Sequence, residues 1–123
     1  MAKRVLDVGN CGPDHSAIRD LIQRHFDAEV IQTHGTDDTL QVLRGGDIDL
    51  VLVNRLLDRD QSEGLDVIRR IMSDADLARV PVMMVTNFPD HQEQAVSEGA
   101  VEGFGKLQLN DQQTVDKLNR YIG

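Results

Sequence analysis

The chain alternates short, nearly unbroken apolar runs with longer stretches in which apolar residues recur every three or four positions. Runs of the first kind suit strands covered on both faces, and stretches of the second kind suit amphipathic helices. Arg4-Val5-Leu6-Asp7-Val8, ended by Gly9-Asn10-Cys11-Gly12-Pro13, predicts a strand followed by a tight turn. From Asp14 to Phe26 the residues Ala17, Ile18, Leu21, Ile22 and Phe26 fall on one helical face, with Asp14 as the cap. Glu29 to Thr33 predicts a second strand. Thr36 caps the next helix, whose Leu40 and Leu43 form a modest stripe before Gly45-Gly46 stops it.

Asp49-Leu50-Val51-Leu52-Val53-Asn54 has the composition of a central parallel strand and ends in a polar residue. A mostly charged loop follows from Arg55 to Gln61, and Ser62 can cap a helix carrying Leu65, Val67, Ile68, Ile71 and Met72. Val80 to Thr86 predicts a fourth strand, with Pro81 near its start where a missing N–H is tolerated. After the turn Asn87-Phe88-Pro89, Asp90 to Glu98 reads as a polar helix that buries little beyond Ala95 and Val96. Gly103-Phe104-Gly105 reads as a brief fifth strand at best. Asn110 and Gln113 have capping-box spacing, and Val115, Leu118 and Ile122 form the stripe of a last helix.

Five strand–helix pairs with short connections predict an α/β fold, a single (βα)5 doubly wound parallel five-stranded sheet with helices on both faces. In such folds the functional crevice lies at the carboxyl ends of the strands, here Gly9-Asn10, Asn54, Thr86-Asn87 and Lys106.

A length of 123 residues suits one domain, 1–123, that buries its own core. The net charge of −8, with no long Lys/Arg cluster, argues against direct nucleic-acid binding. No apolar run is long enough to span a bilayer, and the N-terminus lacks a signal h-region. The only cysteine, Cys11, suits a reducing compartment and reads as an inert thiol. A cytoplasmic protein is expected. His15, His25, His34 and His91 lack metal-ligand spacing and read as surface residues.

Several of these segments in combination resemble the receiver domain of bacterial two-component response regulators, over residues 3 to 122. Asp49-Leu50-Val51-Leu52-Val53 is similar to the third strand leading to the phosphoacceptor, and Gly64-Leu65-Asp66-Val67-Ile68-Arg69-Arg70-Ile71 to the glycine-started third helix. Val80 to Thr86 is similar to the fourth strand with its switch hydroxyl, and Gly99-Ala100 followed by Lys106 matches the family's spacing. The resemblance implies a flavodoxin-like, receiver-like sheet of strand order 2-1-3-4-5 and a role in phosphorelay signal transduction.

The family holds Mg²⁺ with two acidic residues after the first strand and accepts a phosphoryl group on an aspartate ending the third. The matching positions here are Gly9, Asn10 and Asn54. A neutral amide is a poor nucleophile and does not balance a divalent ion. Mg²⁺ binding is therefore expected to be lost, with no cofactor in its place. Thr86 and Lys106 match the family's hydroxyl and lysine, but Asn87 stands where a small residue is usual, and Leu107 where proline follows the lysine. A cis bond before Leu107 is not expected, because without proline it costs about 3 kcal/mol. The fifth-strand aromatic is displaced from Gly103 to Phe104, which faces the other side of a strand.

These departures predict a pseudo-receiver: a stand-alone, non-enzymatic signalling protein acting through protein–protein interaction, independent of aspartyl phosphorylation. Its partner would be a histidine kinase or an effector. By the resemblance, the contact face is the fourth helix, fifth strand and fifth helix, which could also form a homodimer. Lys106 is expected to hydrogen-bond Asn54, Asn10 or backbone carbonyls, the alternative being an anion such as phosphate. Asp58 and Asp60 read as a solvated surface turn, the alternative being relocated phosphoacceptors, Asp58 foremost. Asp7 reads as a carboxylate near a sheet edge or paired with an arginine, or as a cofactor ligand. Val5 to Pro13 also resembles the glycine-rich first motif of Rossmann-like S-adenosylmethionine-binding proteins, the reading of a different class.

Overall fold

The computed structural model describes residues 2–123. Its strands are β1 (Lys3–Val8), β2 (Ala28–Thr33), β3 (Leu50–Asn54), β4 (Val82–Val85) and β5 (Val101–Phe104). Its helices are α1 (Gly12–His25), α2 (Thr36–Arg44), α3 (Gly64–Met72), α4 (Pro89–Ser97) and α5 (Gln112–Ile122). A 3₁₀ turn, Lys106–Gln108, lies between β5 and α5. All sheet pairings are parallel, in the order β2-β1-β3-β4-β5, as the strand–helix alternation implies.

Strand side chains alternate between faces, so the sheet has two cores. Leu6, Val8, Val51, Val53, Val82 and Met84 pack with residues of α2, α3 and α4, among them Leu40, Ile68 and Ala95. Val5, Leu50, Leu52, Met83, Val85 and Phe104 pack with Ile18 and Ile22 of α1 and Leu118 and Ile122 of α5. The functional crevice expected at the strand ends thus lies between α1 and the turns after β3, β4 and β5.

Several expected boundaries and caps are corrected. α1 begins at Gly12, with Pro13 in its first turn and Cys11 as N-cap, so Asp14 lies inside it. Its buried stripe is His15, Ile18, Leu21 and Ile22, while Ala17 is exposed. α2 is capped from inside: the Asp38 carboxylate accepts the N–H groups of His34 and Gly35, both at 2.8 Å, and Thr36 does not cap. α3 starts behind Glu63 rather than Ser62, and α5 behind Asp111 rather than Asn110.

β5 is longer than its sequence suggests, because an irregular register brings Val101 into the sheet. Met83 pairs with Val101 and Val85 with Phe104, so one β4 residue faces two on β5. This bulge sends Phe104 into the α1/α5 core, where it is fully buried, and leaves Gly103 under α4. A Cβ on Gly103 would stand 2.3 Å from the Met84 carbonyl oxygen, so only glycine fits there.

Candidate functional site: the crevice at the strand ends

Gly9 follows β1 with a φ of 76°, a left-handed conformation that glycine adopts without strain. Its carbonyl accepts the Asn54 Nδ2–H at 3.2 Å and the Asp58 N–H at 3.0 Å. The loop after β3 is thereby pulled onto the β1 turn. Leu57, expected to be part of a charged loop, is instead 2% exposed and belongs to the core. A Cβ on Gly9 would meet Leu57 Cδ2 at 2.4 Å, so the leucine fills the space that an acidic side chain at this position would need.

Asn54 ends β3 with its amide fully used. Besides the Gly9 carbonyl, Nδ2 donates to the Leu56 carbonyl at 2.7 Å, and Oδ1 accepts the Arg55 N–H at 3.1 Å. A carboxylate here would set an oxygen against two carbonyl oxygens. Thr86 is buried, and its Oγ1 accepts the Phe88 N–H at 3.3 Å and lies 3.5 Å from His91 Nδ1. Asn87 Oδ1 accepts the Leu107 N–H at 3.0 Å and ties the turn after β4 to the 3₁₀ turn. Asn54, Thr86, Asn87 and Lys106 do converge, together lining a cavity of about 180 Å³. No cis peptide occurs among the described residues.

Among the described residues, Lys106 does not hydrogen-bond Asn54, Asn10 or a backbone carbonyl. Its Nζ donates to Asp14 Oδ2 at 2.7 Å, a partner one turn into α1. The Lys106 ammonium beside Asp14 holds that carboxyl below the usual carboxylate range. Cys11 is exposed, with its thiol donating to the same Asp14 oxygen at 3.3 Å.

Asp7 lies on a central strand, not at an edge, and pairs with no arginine. It is fully buried, accepting from Asn10 Nδ2 at 2.5 Å and meeting His15 Nδ1 at 2.7 Å. Burial pushes the Asp7 carboxyl above its ordinary range, against the opposing pull of His15, Asn10 and Lys106. His15, expected at the surface, is the buried partner that this carboxylate requires. Asn10 is buried too, and its Oδ1 has no hydrogen-bond partner. His34 is also no free surface residue: its Nδ1 lies 3.1 Å from Asp58 Oδ2. His91 is half-buried with its ring edge-on to Phe88, and His25 alone is exposed as expected. Asp60 is exposed and caps the Ser62 N–H.

Gly103 and Phe104 lie beyond this crevice, at the end of the sheet beside α4 and α5. Sequence reasoning missed Gln92, whose carboxamide spans the β5 bulge. Gln92 Oε1 accepts the Gly103 N–H at 3.0 Å, and Nε2 donates to the Met84 carbonyl at 2.9 Å. Around them α4, β5 and α5 enclose a groove of about 560 Å³. A glutamine on a polar helix gives no local sign of such a role, and neither do Asp14, His15 and Leu57.

No protein-family model matches the chain, and no curated protein matches it. Solved structures do. A provisionally assigned response regulator from Chloroflexus aurantiacus superposes with a TM-score of 0.85 at 16% identity, over 98% of this chain and 97% of that one. The beryllofluoride-activated receiver domain of Klebsiella pneumoniae RstA gives 0.80 at 16% identity, over 97% of each chain. The Vibrio cholerae chemotaxis response regulator CheY4 gives 0.75 at 15% identity, over 98% of each. With its five parallel strands in the order 2-1-3-4-5 and its five helices, the chain has the flavodoxin-like fold of these receiver domains.

Proposed function

We propose that this chain is a pseudo-receiver, a signalling module that acts by binding a protein partner and takes no phosphoryl group on an aspartate. The observation that carries the reading is Leu57 packed over Gly9, above an Asn54 amide already spent on two backbone carbonyls. A receiver needs that space for a hard cation and its carboxylates. The donor set here does not suit Mg²⁺: Gly9 offers no side chain, Asn10 and Asn54 are neutral, and Asp7 is committed to His15 and Asn10. Phosphoryl transfer lacks a nucleophile as well, since a neutral amide cannot replace the carboxylate. Asp58 does not supply one, being held by His34 and tied through its N–H to Gly9.

What the fold retains is a surface for docking, and α4, β5 and α5 offer the groove for a partner such as a histidine kinase or an effector. No helix among the described residues is long and apolar enough to cross a membrane, which agrees with a partner met in the aqueous phase. Titration with Mg²⁺ and beryllofluoride, followed by ¹H–¹⁵N NMR, tests the reading. The spectrum should stay unchanged, and saturable shifts of Gly9, Asn54 and Thr86 would overturn it.

A further inference from the structure

The groove between α4 and β5 has a charge pattern of its own. From Val82 to Gly105 the chain contains no lysine or arginine and four carboxylates, Asp90, Glu93, Glu98 and Glu102. Glu98 is paired with Arg69, and Glu102 with Lys117 at 2.9 Å. Asp90 and Glu93 are exposed and have no ion-pair partner among the described residues. Lys117, the cation of the groove, is further committed to the Gly103 carbonyl at 3.0 Å.

Polar and charged residues line most of the groove, among them Gln92, Glu93, Glu102 and Lys117, but the surface they expose to it is more apolar than polar, with Pro89, Val96 and Gly103 contributing. Gly103 presents no side chain, and the Met84 carbonyl forbids one there. The neighbouring Val96 is 46% exposed, a large apolar side chain left in water beside the hollow. Polar groups of the floor are already paired, because Gln92 satisfies Gly103 N–H and Met84 C=O. An occupant therefore gains at Gly103 by filling space, and at the rim by matching the charge of Glu93.

We propose that this groove binds a cationic peptide segment of a partner protein, with a bulky apolar side chain seated over Gly103 and a flanking lysine or arginine beside Glu93. The proposal rests on the reading of α4, β5 and α5 as the contact face and names the chemistry of what that face accepts. Complementary charge steers such an encounter and makes it weaken with salt. A second copy of this chain is disfavoured as the occupant, because each copy carries a net charge of −8.

The test uses two synthetic peptides, one with tryptophan flanked by arginines and one with tryptophan flanked by glutamates, each titrated into the ¹⁵N-labelled chain. The arginine peptide should give saturable shifts centred on Gln92, Glu93, Val96 and Gly103, and the glutamate peptide should give weaker ones. Glu93→Lys should weaken the arginine peptide about two- to fivefold, the range open to one exposed charge pair. Asp76→Lys, the same charge change on the exposed α3–β4 connection, should leave binding nearly unaltered. Replacing tryptophan by glycine in the peptide should abolish the shifts at Gly103.

Equal affinity for both peptides, shifts located elsewhere, or no shifts at millimolar peptide would each overturn the proposal. Equal weakening by Glu93→Lys and Asp76→Lys would also overturn it, since net charge alone would then be acting. These outcomes are separate from the beryllofluoride titration, which reports on the strand-end crevice and fails or succeeds without the groove.

Discussion

Gln92 of α4 and Gly103 of β5 are joined by a hydrogen bond of 3.0 Å at the irregular register of the last strand pair. The register shift falls between Met83 and Val85, and there one carboxamide serves both the Gly103 N–H and the Met84 carbonyl. Only a group with a donor and an acceptor at its tip can do this. Gln92→Leu should therefore cost about 1–3 kcal/mol, the penalty for unpaired buried polar groups. Gln92→Glu should also destabilise, because its carboxylate would face the Met84 carbonyl. Urea denaturation of the two variants checks both.

Leu57 and Gly9 form the second close fit. Leu57→Ala should lose about 2–5 kcal/mol, as expected for a fully buried leucine. Gly9→Ala should also destabilise, through its collision with Leu57 and its positive φ. Combined, the two should cost less than their sum, because the smaller residue at 57 removes the collision while the backbone strain persists. A double-mutant cycle by chemical denaturation measures the coupling; strict additivity would contradict the packing described.

Introducing acidic residues into the crevice gives a third expectation. Asn54→Asp loses two hydrogen bonds to carbonyl oxygens and places charge against them, so it should be destabilising at neutral pH by about 1–3 kcal/mol. Protonation of the new carboxyl restores a donor, so the deficit should shrink in acid. The triple variant Gly9→Asp, Asn10→Asp, Asn54→Asp should not gain a beryllofluoride response unless Leu57 is also truncated. The same NMR titration decides it.

The buried Asp7–His15 pair makes a pH prediction. His15→Ala leaves the Asp7 carboxylate with Asn10 as its only direct partner, and should cost about 3 kcal/mol or more at neutral pH. Burial raises the folded-state Asp7 pKa above its unfolded value. A raised pKa means that the folded chain holds the proton more tightly, so this group favours folding fully below the unfolded value, about 3.9. That contribution is lost as pH rises through the folded value. The deficit of His15→Ala should accordingly narrow on acidification, as measured by denaturation across pH.

Lys106 and Asp14 carry a smaller and opposite dependence. The pair is partly exposed, so Lys106→Met should cost only about 0.2–1 kcal/mol at neutral pH, less in high salt. Asp14 has a lowered folded pKa, so its contribution is present above the unfolded value and disappears as pH falls through the lowered one. Thermal melts of Lys106→Met and the parent should converge at strongly acidic pH.

The order of strands and helices was legible in the sequence because it rests on local periodicity: β3 with four buried apolar residues, and α3 with Val67, Ile68 and Ile71 on one face. That Gly9, Asn10 and Asn54 carry no carboxylate was equally legible, since it is a matter of residue type. Element ends were less so. Asp38 caps α2 from inside, and the bulge recruits Val101 to β5, both through partners that no local pattern announces.

What only the tertiary structure decided is where the polar groups find their partners. Asp7 meets His15 eight residues on, Lys106 meets Asp14 across 92 residues, and Gln92 reaches from a polar helix into the sheet. The physical reason is the same in each case. Apolar periodicity is a property of neighbouring positions, whereas burying a charge or a hydrogen-bonding group forces a choice of partner that only the packed chain can offer.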